Sequence, residues 1–126
     1  MLHCIQNFPI LAKTKEREVV LDLFEAALQS IQMAPVLEKS LAVDNDELTI
    51  CGQPYVWKNF SRVFLLGFGK GSAAACKIIE NKLGGKLTAG WDIDVSHEDF
   101  ARLQFTKGSH PLPSAQNQQF AKRSIK

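Results

Sequence analysis

No stretch of this 126-residue chain approaches the roughly 18–20 consecutive apolar residues that a membrane-crossing helix needs. The N-terminus lacks a basic segment followed by an apolar core and a small-residue cleavage site, so no secretory leader is expected. Cysteine is scarce: Cys4, Cys51 and Cys76 are odd in number, widely spaced and without a C-x-x-C pair. That spacing argues against a disulfide framework and a zinc site, and it fits a reducing, cytoplasmic setting. All three thiols read as small apolar residues, since none has a nearby partner that would make it a catalytic nucleophile. An excess of one charge is missing too. Fifteen Lys and Arg face thirteen Asp and Glu, and the basic residues are scattered, so no nucleic-acid footprint is expected. There are no internal repeats and no low-complexity segments.

What is present suits one domain with its own core, at 45% hydrophobic and 22% charged residues. Residues 1–13 have no clear period, and Pro9 interrupts regular structure, which predicts a loosely attached flexible arm. Thr14 can cap a helix whose apolar residues Val20, Leu23, Phe24, Ala27, Leu28 and Ile31 recur at helical spacing as a buried stripe. Glu16 and Glu18 fall in its first turn, where the helix dipole favours them. Pro35 is expected to start a second short helix with Val36, Leu37, Leu41 and Ala42 inward. Asp44-Asn45-Asp46 is turn chemistry, and Leu48-Thr49-Ile50 followed by Gly52-Gln53-Pro54 and Tyr55-Val56-Trp57 predicts a small β-hairpin. Trp57 and Phe60 are expected to pack the approach to the strand that follows.

That strand opens the stretch that carries the chemistry. Val63 to Leu66 is an apolar run that reads as a buried strand. Gly67, Gly69 and Gly71 then alternate, with Lys70 between the last two, and Ser72 to about Leu83 suits a helix burying Ala75, Ile78, Ile79 and Leu83. Strand, glycine turn and helix in that order can build an anion site. The turn brings backbone close to a phosphate or carboxylate, the helix start offers free N–H groups and partial positive charge, and Lys70 adds a full one. The turn is neither a P-loop nor a dinucleotide fingerprint. Phe64 stands where the P-loop needs glycine, Gly71 where it needs Ser or Thr, and Ser72 at the third fingerprint glycine, although Asp92 and Asp94 lie at about the distance of a ribose-binding acid. The plainer alternative is a βα turn using glycine for packing, with Lys70 solvated.

Gly84-Gly85 stops the helix, and Leu87 to Val95 reads as the next strand, where Gly90 can admit a ligand or a neighbouring backbone. Asp92 and Asp94 alternate with Ile93 and Val95, which predicts a strand near an edge or with one face in a cleft, and a solvated face explains the acids at least as well as a metal site. His97, Glu98 and Asp99 are read as a solvated connection, and Gln104 to Thr106 as a short third strand. The loop Lys107-Gly108-Ser109-His110-Pro111-Leu112-Pro113 is the second site candidate, stiffened by two prolines, with His110 and Ser109 presented at a strand's end. Ser114 can cap a last helix that buries Phe120, Ala121 and Ile125.

Taken together, Leu48-x-Ile50-x-Gly52-x-x-Tyr55, the run from Val63 to Gly71, Gly90, and Gly108-Ser109-His110-Pro111-Leu112-Pro113 resemble the N-terminal domain of the class II glycerate kinases. These are ATP-dependent glycerate 2-kinases with a C-terminal MOFRL domain. The resemblance runs from about Glu18 to the last residue. Gly71 stands where the family often has alanine, and Ser114 where it often has an acid. The last helix also reaches Lys126 without a stop signal, so residues 14–126 are expected to be the front part of a longer kinase, inactive by itself.

The expected fold is α/β: a Rossmann-like α/β/α arrangement with a mostly parallel sheet, N-terminal helices and the small hairpin. The resemblance implies glycerate and ATP with Mg2+ as ligands, and it allows a homodimer. It implies Lys70 as the catalytic cation, with Gly67, Gly69, Gly71, Ser72, Ser109 and His110 binding phosphate or substrate. The rival readings are a phosphate- or nucleotide-binding module without chemistry, and an inactive remnant or interaction domain.

Overall fold

Two units divide the chain, Met1–Val36 and Leu37–Lys126, and the computed structural model describes residues 3–124. In the first unit the expected arm is folded. A short helix α1 (Phe8–Leu11) carries Pro9 in its first turn, where a missing N–H costs nothing, and Phe8 is buried with the His3 ring stacked on it. The backbone N–H groups of Cys4 and Ile5 donate to the buried carboxylate of Glu25, which fastens this segment to helix α2 (Lys15–Ser30). Residues 1 and 2 lie outside the described residues.

Helix α2 starts as the sequence predicts, with the Thr14 hydroxyl accepting from the Arg17 N–H and Glu16 and Glu18 in the first turn. Its stripe is not buried. Val20, Leu23, Phe24 and Ile31 are all at least half exposed, Leu23 at 68%. The following helix α3 runs from Met33 to Ser40, so Pro35 sits within its first turn rather than starting it. Val36 is exposed, and Leu41 and Ala42 belong to a strand instead.

The second unit holds two sheets. Strands β1 (Leu41–Val43), β2 (Glu47–Ile50) and β3 (Gln53–Val56) form an antiparallel meander, one strand more than the predicted hairpin. The β1–β2 turn is closed by Asp44, whose carboxylate accepts from the N–H groups of Asp46 and Glu47. The β2–β3 turn uses positive φ at Cys51 and Gly52. Trp57 packs against the core as expected, whereas Phe60 is exposed.

Strands β4 (Phe64–Phe68), β5 (Ala89–Asp94) and β6 (Leu103–Lys107) form a parallel sheet in the order β4-β5-β6. Helix α4 (Ser72–Leu83) and helix α5 (Ala115–Ser124) lie on opposite sides of it. The α/β class and the strand–turn–helix order are as the sequence predicts.

The core gathers Cys76, Leu83, Leu87 and Leu103, with Val63, Leu65 and Ile79 against it. The buried side of α4 is therefore Ala73, Cys76, Glu80 and Leu83, a stripe turned from the predicted one; Ala75, Ile78 and Ile79 are half-buried. Glu80 is tolerated there because its carboxylate accepts from the N–H groups of Ala101, Arg102 and Leu103. Gly90 meets a backbone, not a ligand: a side chain there would collide with the Leu65 carbonyl and with Leu103.

Two further expectations fail in this sheet. Strand β4 lies at its edge, and on the face away from α4 it leaves Phe64, Leu66 and Phe68 exposed, Phe68 at 73%. Strand β5 is central rather than at an edge, and its acids are not solvated, at 0% exposed for Asp92 and 3% for Asp94; of the two alternatives the cleft is the one that holds, for Asp94. In α5, Phe120 is buried, Ala121 is exposed, and Ile125 lies outside the described residues. Among the described residues no single helix is long and apolar enough to cross a membrane.

Candidate functional site

The carboxyl ends of β4, β5 and β6 open into a crevice of about 200 Å³, lined by Phe68, Gly69 and Lys70 from the first, Ile93 to Val95 from the second, Gly108, Ser109 and His110 from the third, and Asn117 from α5. Two predicted candidates, the glycine turn and the His110 loop, thus share one cavity. Parallel strands bring this about, since each ends at the same edge and hands its loop to the same side. Lys70 is exposed, and its ammonium makes no ion pair or hydrogen bond among the described residues.

The amides of the glycine turn behave differently from the expectation. The Gly71 and Ala73 N–H groups donate to Asp94 Oδ2 at 2.9 and 3.0 Å. The Gly69 N–H donates to the Ile93 carbonyl at 3.1 Å, and the Ser72 N–H to the Gly69 carbonyl at 3.0 Å. The Ser72 hydroxyl donates to the Ile93 carbonyl at 3.3 Å. Gly69, Gly71 and Ser72 therefore have no amide left for a phosphate, and the anion at the start of α4 is the protein's own carboxylate. Gly67 does not reach the crevice either. It lies within β4, buried, and a Cβ there would collide with Asp92 Oδ1 and Cys76 Sγ. Glycine at 69 and 71 serves the turn itself, with φ of 101° and 89°.

Asp94 was not legible as a site residue, yet it organises the crevice. Its Oδ1 accepts from the N–H groups of Val95 at 2.6 Å and Ser96 at 3.3 Å, and its carbonyl accepts from the Gly108 N–H at 2.9 Å. Burial by itself would raise its pKa, but the amides of Ala73, Ser96, Val95 and Gly71 outweigh that and hold the carboxyl below the usual range. Asp92, two residues earlier on the same face of β5, goes the other way. Burial raises its pKa; the Ser72 hydroxyl and Cys76 thiol nearby offset this only in part, and neither carboxyl oxygen has a hydrogen bond of ordinary geometry. Burial, with Asp92 beside it, pushes the Cys76 thiol up to about 12, which makes it an inert core residue as predicted.

Compared with known protein families, residues 19–126 match the one described as a domain of unknown function, DUF4147. The chain belongs to that family. No curated protein and no solved structure matches it.

In this DUF4147 domain the His110 loop is held by α5. Ser114 precedes the helix, and its N–H and hydroxyl both donate to Asn117 Oδ1, at 3.1 and 2.8 Å. Ser109 does the same with its N–H at 3.3 Å and its hydroxyl at 3.2 Å, and its hydroxyl also lies 2.6 Å from the Leu112 carbonyl. Ser109 is therefore a loop fastener as well as a crevice residue, while His110 is exposed at the rim. Asn117 escaped the sequence reading; its signal was the spacing of three from Ser114, which places it where a side chain reaches back to the helix start.

The DUF4147 crevice suits an oxyanion through Lys70 and His110. It does not suit magnesium. Asp94 is the only carboxylate lining it, its oxygens are engaged by amides, and no group of three or more His, Cys, Asp or Glu able to hold a metal occurs among the described residues.

Proposed function

We propose that this chain contributes the Lys70 side of a glycerate 2-kinase site, at which ATP phosphorylates the 2-hydroxyl of glycerate. In that reaction the hydroxyl oxygen bonds to the γ-phosphorus, the bond from that phosphorus to the bridging oxygen breaks, ADP leaves, and the hydroxyl proton is released. The observation that carries the reading is the crevice that joins Lys70 to Ser109 and His110. Support comes from the family, whose domain stands at the N-terminus of glycerate kinase-type proteins, and from the residue blocks shared with those kinases. Lys70 supplies positive charge to the carboxylate or to the transferring phosphoryl oxygens. The helix-start amides take no part, and no step is assigned to a metal held by these residues.

The test is a coupled assay for 2-phosphoglycerate on the protein as its genome encodes it, wild type against Lys70→Ala. Turnover should fall by about 100-fold or more when the ammonium is removed; unchanged turnover would remove Lys70 from the site. A second reading, a binding module without chemistry, is favoured by the occupied amides at the start of α4. It predicts glycerate or phosphate binding with no glycerate-dependent ATP consumption.

A further inference from the structure

Resting on that reading of the crevice, we infer that Asn117 is a ligand-binding residue whose side-chain amide donates to the same oxyanion as Lys70. The orientation of this side chain is fixed by its partners. The Ser109 and Ser114 backbone N–H groups both point at one atom of the Asn117 amide, at 3.3 and 3.1 Å. A backbone N–H can only donate, so that atom is the oxygen, and the NH2 group is the other end.

The Nδ2 group makes no hydrogen bond among the described residues. It stands beside Gly108, where an added Cβ would come within 3.3 Å of it, and both residues line the crevice with Lys70. A donor whose far end is held by the Ser109 and Ser114 N–H groups and the Ser114 hydroxyl loses little freedom on binding, so it is preorganised for an acceptor. With the Gly71 and Ala73 amides taken by Asp94 and the Ser72 amide by the Gly69 carbonyl, this NH2 is a neutral donor still open in the crevice. The ligand class is an oxyanion, either the carboxylate of a small hydroxy acid or a phosphate.

The experiment is an NMR titration of the 15N-labelled chain with glycerate in one arm and inorganic phosphate in the other, read at the Lys70 backbone amide and the Asn117 side-chain NH2. Asn117→Asp identifies the NH2 signals by their loss; it keeps the oxygen that holds Ser109 and Ser114 but replaces the donor with an acceptor. The expected result is that the NH2 pair and the Lys70 amide move together and saturate at one concentration, in the arm that names the oxyanion. In Asn117→Asp that binding should weaken about tenfold or more while the melting temperature holds or rises. Movement of the Lys70 amide with the NH2 pair unmoved overturns the inference and leaves the crevice reading intact. Movement of neither signal in either arm overturns both.

Discussion

Two carboxylates on one face of β5 show how environment rather than residue type sets behaviour. Asp94 is ringed by backbone N–H donors, whereas Asp92 has only the Ser72 hydroxyl and Cys76 thiol nearby and no well-formed hydrogen bond, so burial leaves one acid stabilised as an anion and the other penalised. Their pH signatures oppose each other. The Asp94 carboxyl has a folded pKa below its unfolded value, so its contribution is complete above about pH 4 and is lost as pH falls through the folded value. The Asp92 carboxyl has a folded pKa above its unfolded value, so its penalty is absent below about pH 4 and grows as pH rises through the folded value. Denaturant unfolding across about pH 3 to 7 should show Asp94→Asn less stable by about 2–4 kcal/mol at neutral pH, with the difference shrinking in acid. Asp92→Asn should be more stable than wild type at neutral pH and equal to it in acid. The reverse order of the two variants would contradict the hydrogen-bond pattern. The sequence displayed both acids but not their fates, since alternation along a strand looks the same whether the outward face meets water or the N–H groups of a helix.

At the scale of elements, the strand, glycine turn and α4 were readable because each leaves a local mark: an apolar run, residues that tolerate positive φ, and a helical repeat ended by Gly84. Long-range neighbours left no such mark, and burial depends on them. The repeat in α2 correctly announced a helix, but its apolar side chains have no cover, so Leu23 and Phe24 are exposed. The same holds for Phe64, Leu66 and Phe68 on β4, since a parallel sheet is ordinarily sheathed on both faces. Removing exposed apolar groups costs little. Leu23→Ser with Phe24→Ser should change unfolding free energy by no more than about 0.5–1 kcal/mol. It should also lower the binding of a hydrophobic dye measured by fluorescence. A loss of several kcal/mol would mean that the α2 stripe is packed after all.

For the molecule as a whole, size limits what the crevice can do. At about 200 Å³ and open to solvent, it is smaller than the roughly 300–1,000 Å³ typical of sites that enclose a drug-sized ligand, and ATP with glycerate is larger still. The chain by itself should therefore bind glycerate weakly by calorimetry yet give no glycerate-dependent ADP release in a coupled assay. Turnover at the rate of a complete kinase would show that 126 residues suffice.

The fastening at Asp94 has a practical side for anyone wishing to alter ligand preference. Through its side chain and carbonyl, one residue holds parts of three separate connections, at 71 and 73, 95–96 and 108. Randomising position 94 would therefore loosen the glycine turn and the 95–96 connection together, while the tie to Gly108, made to the backbone carbonyl, would stay. Variation at Phe68 and His110, both exposed at the rim, changes the upholstery and leaves the frame standing.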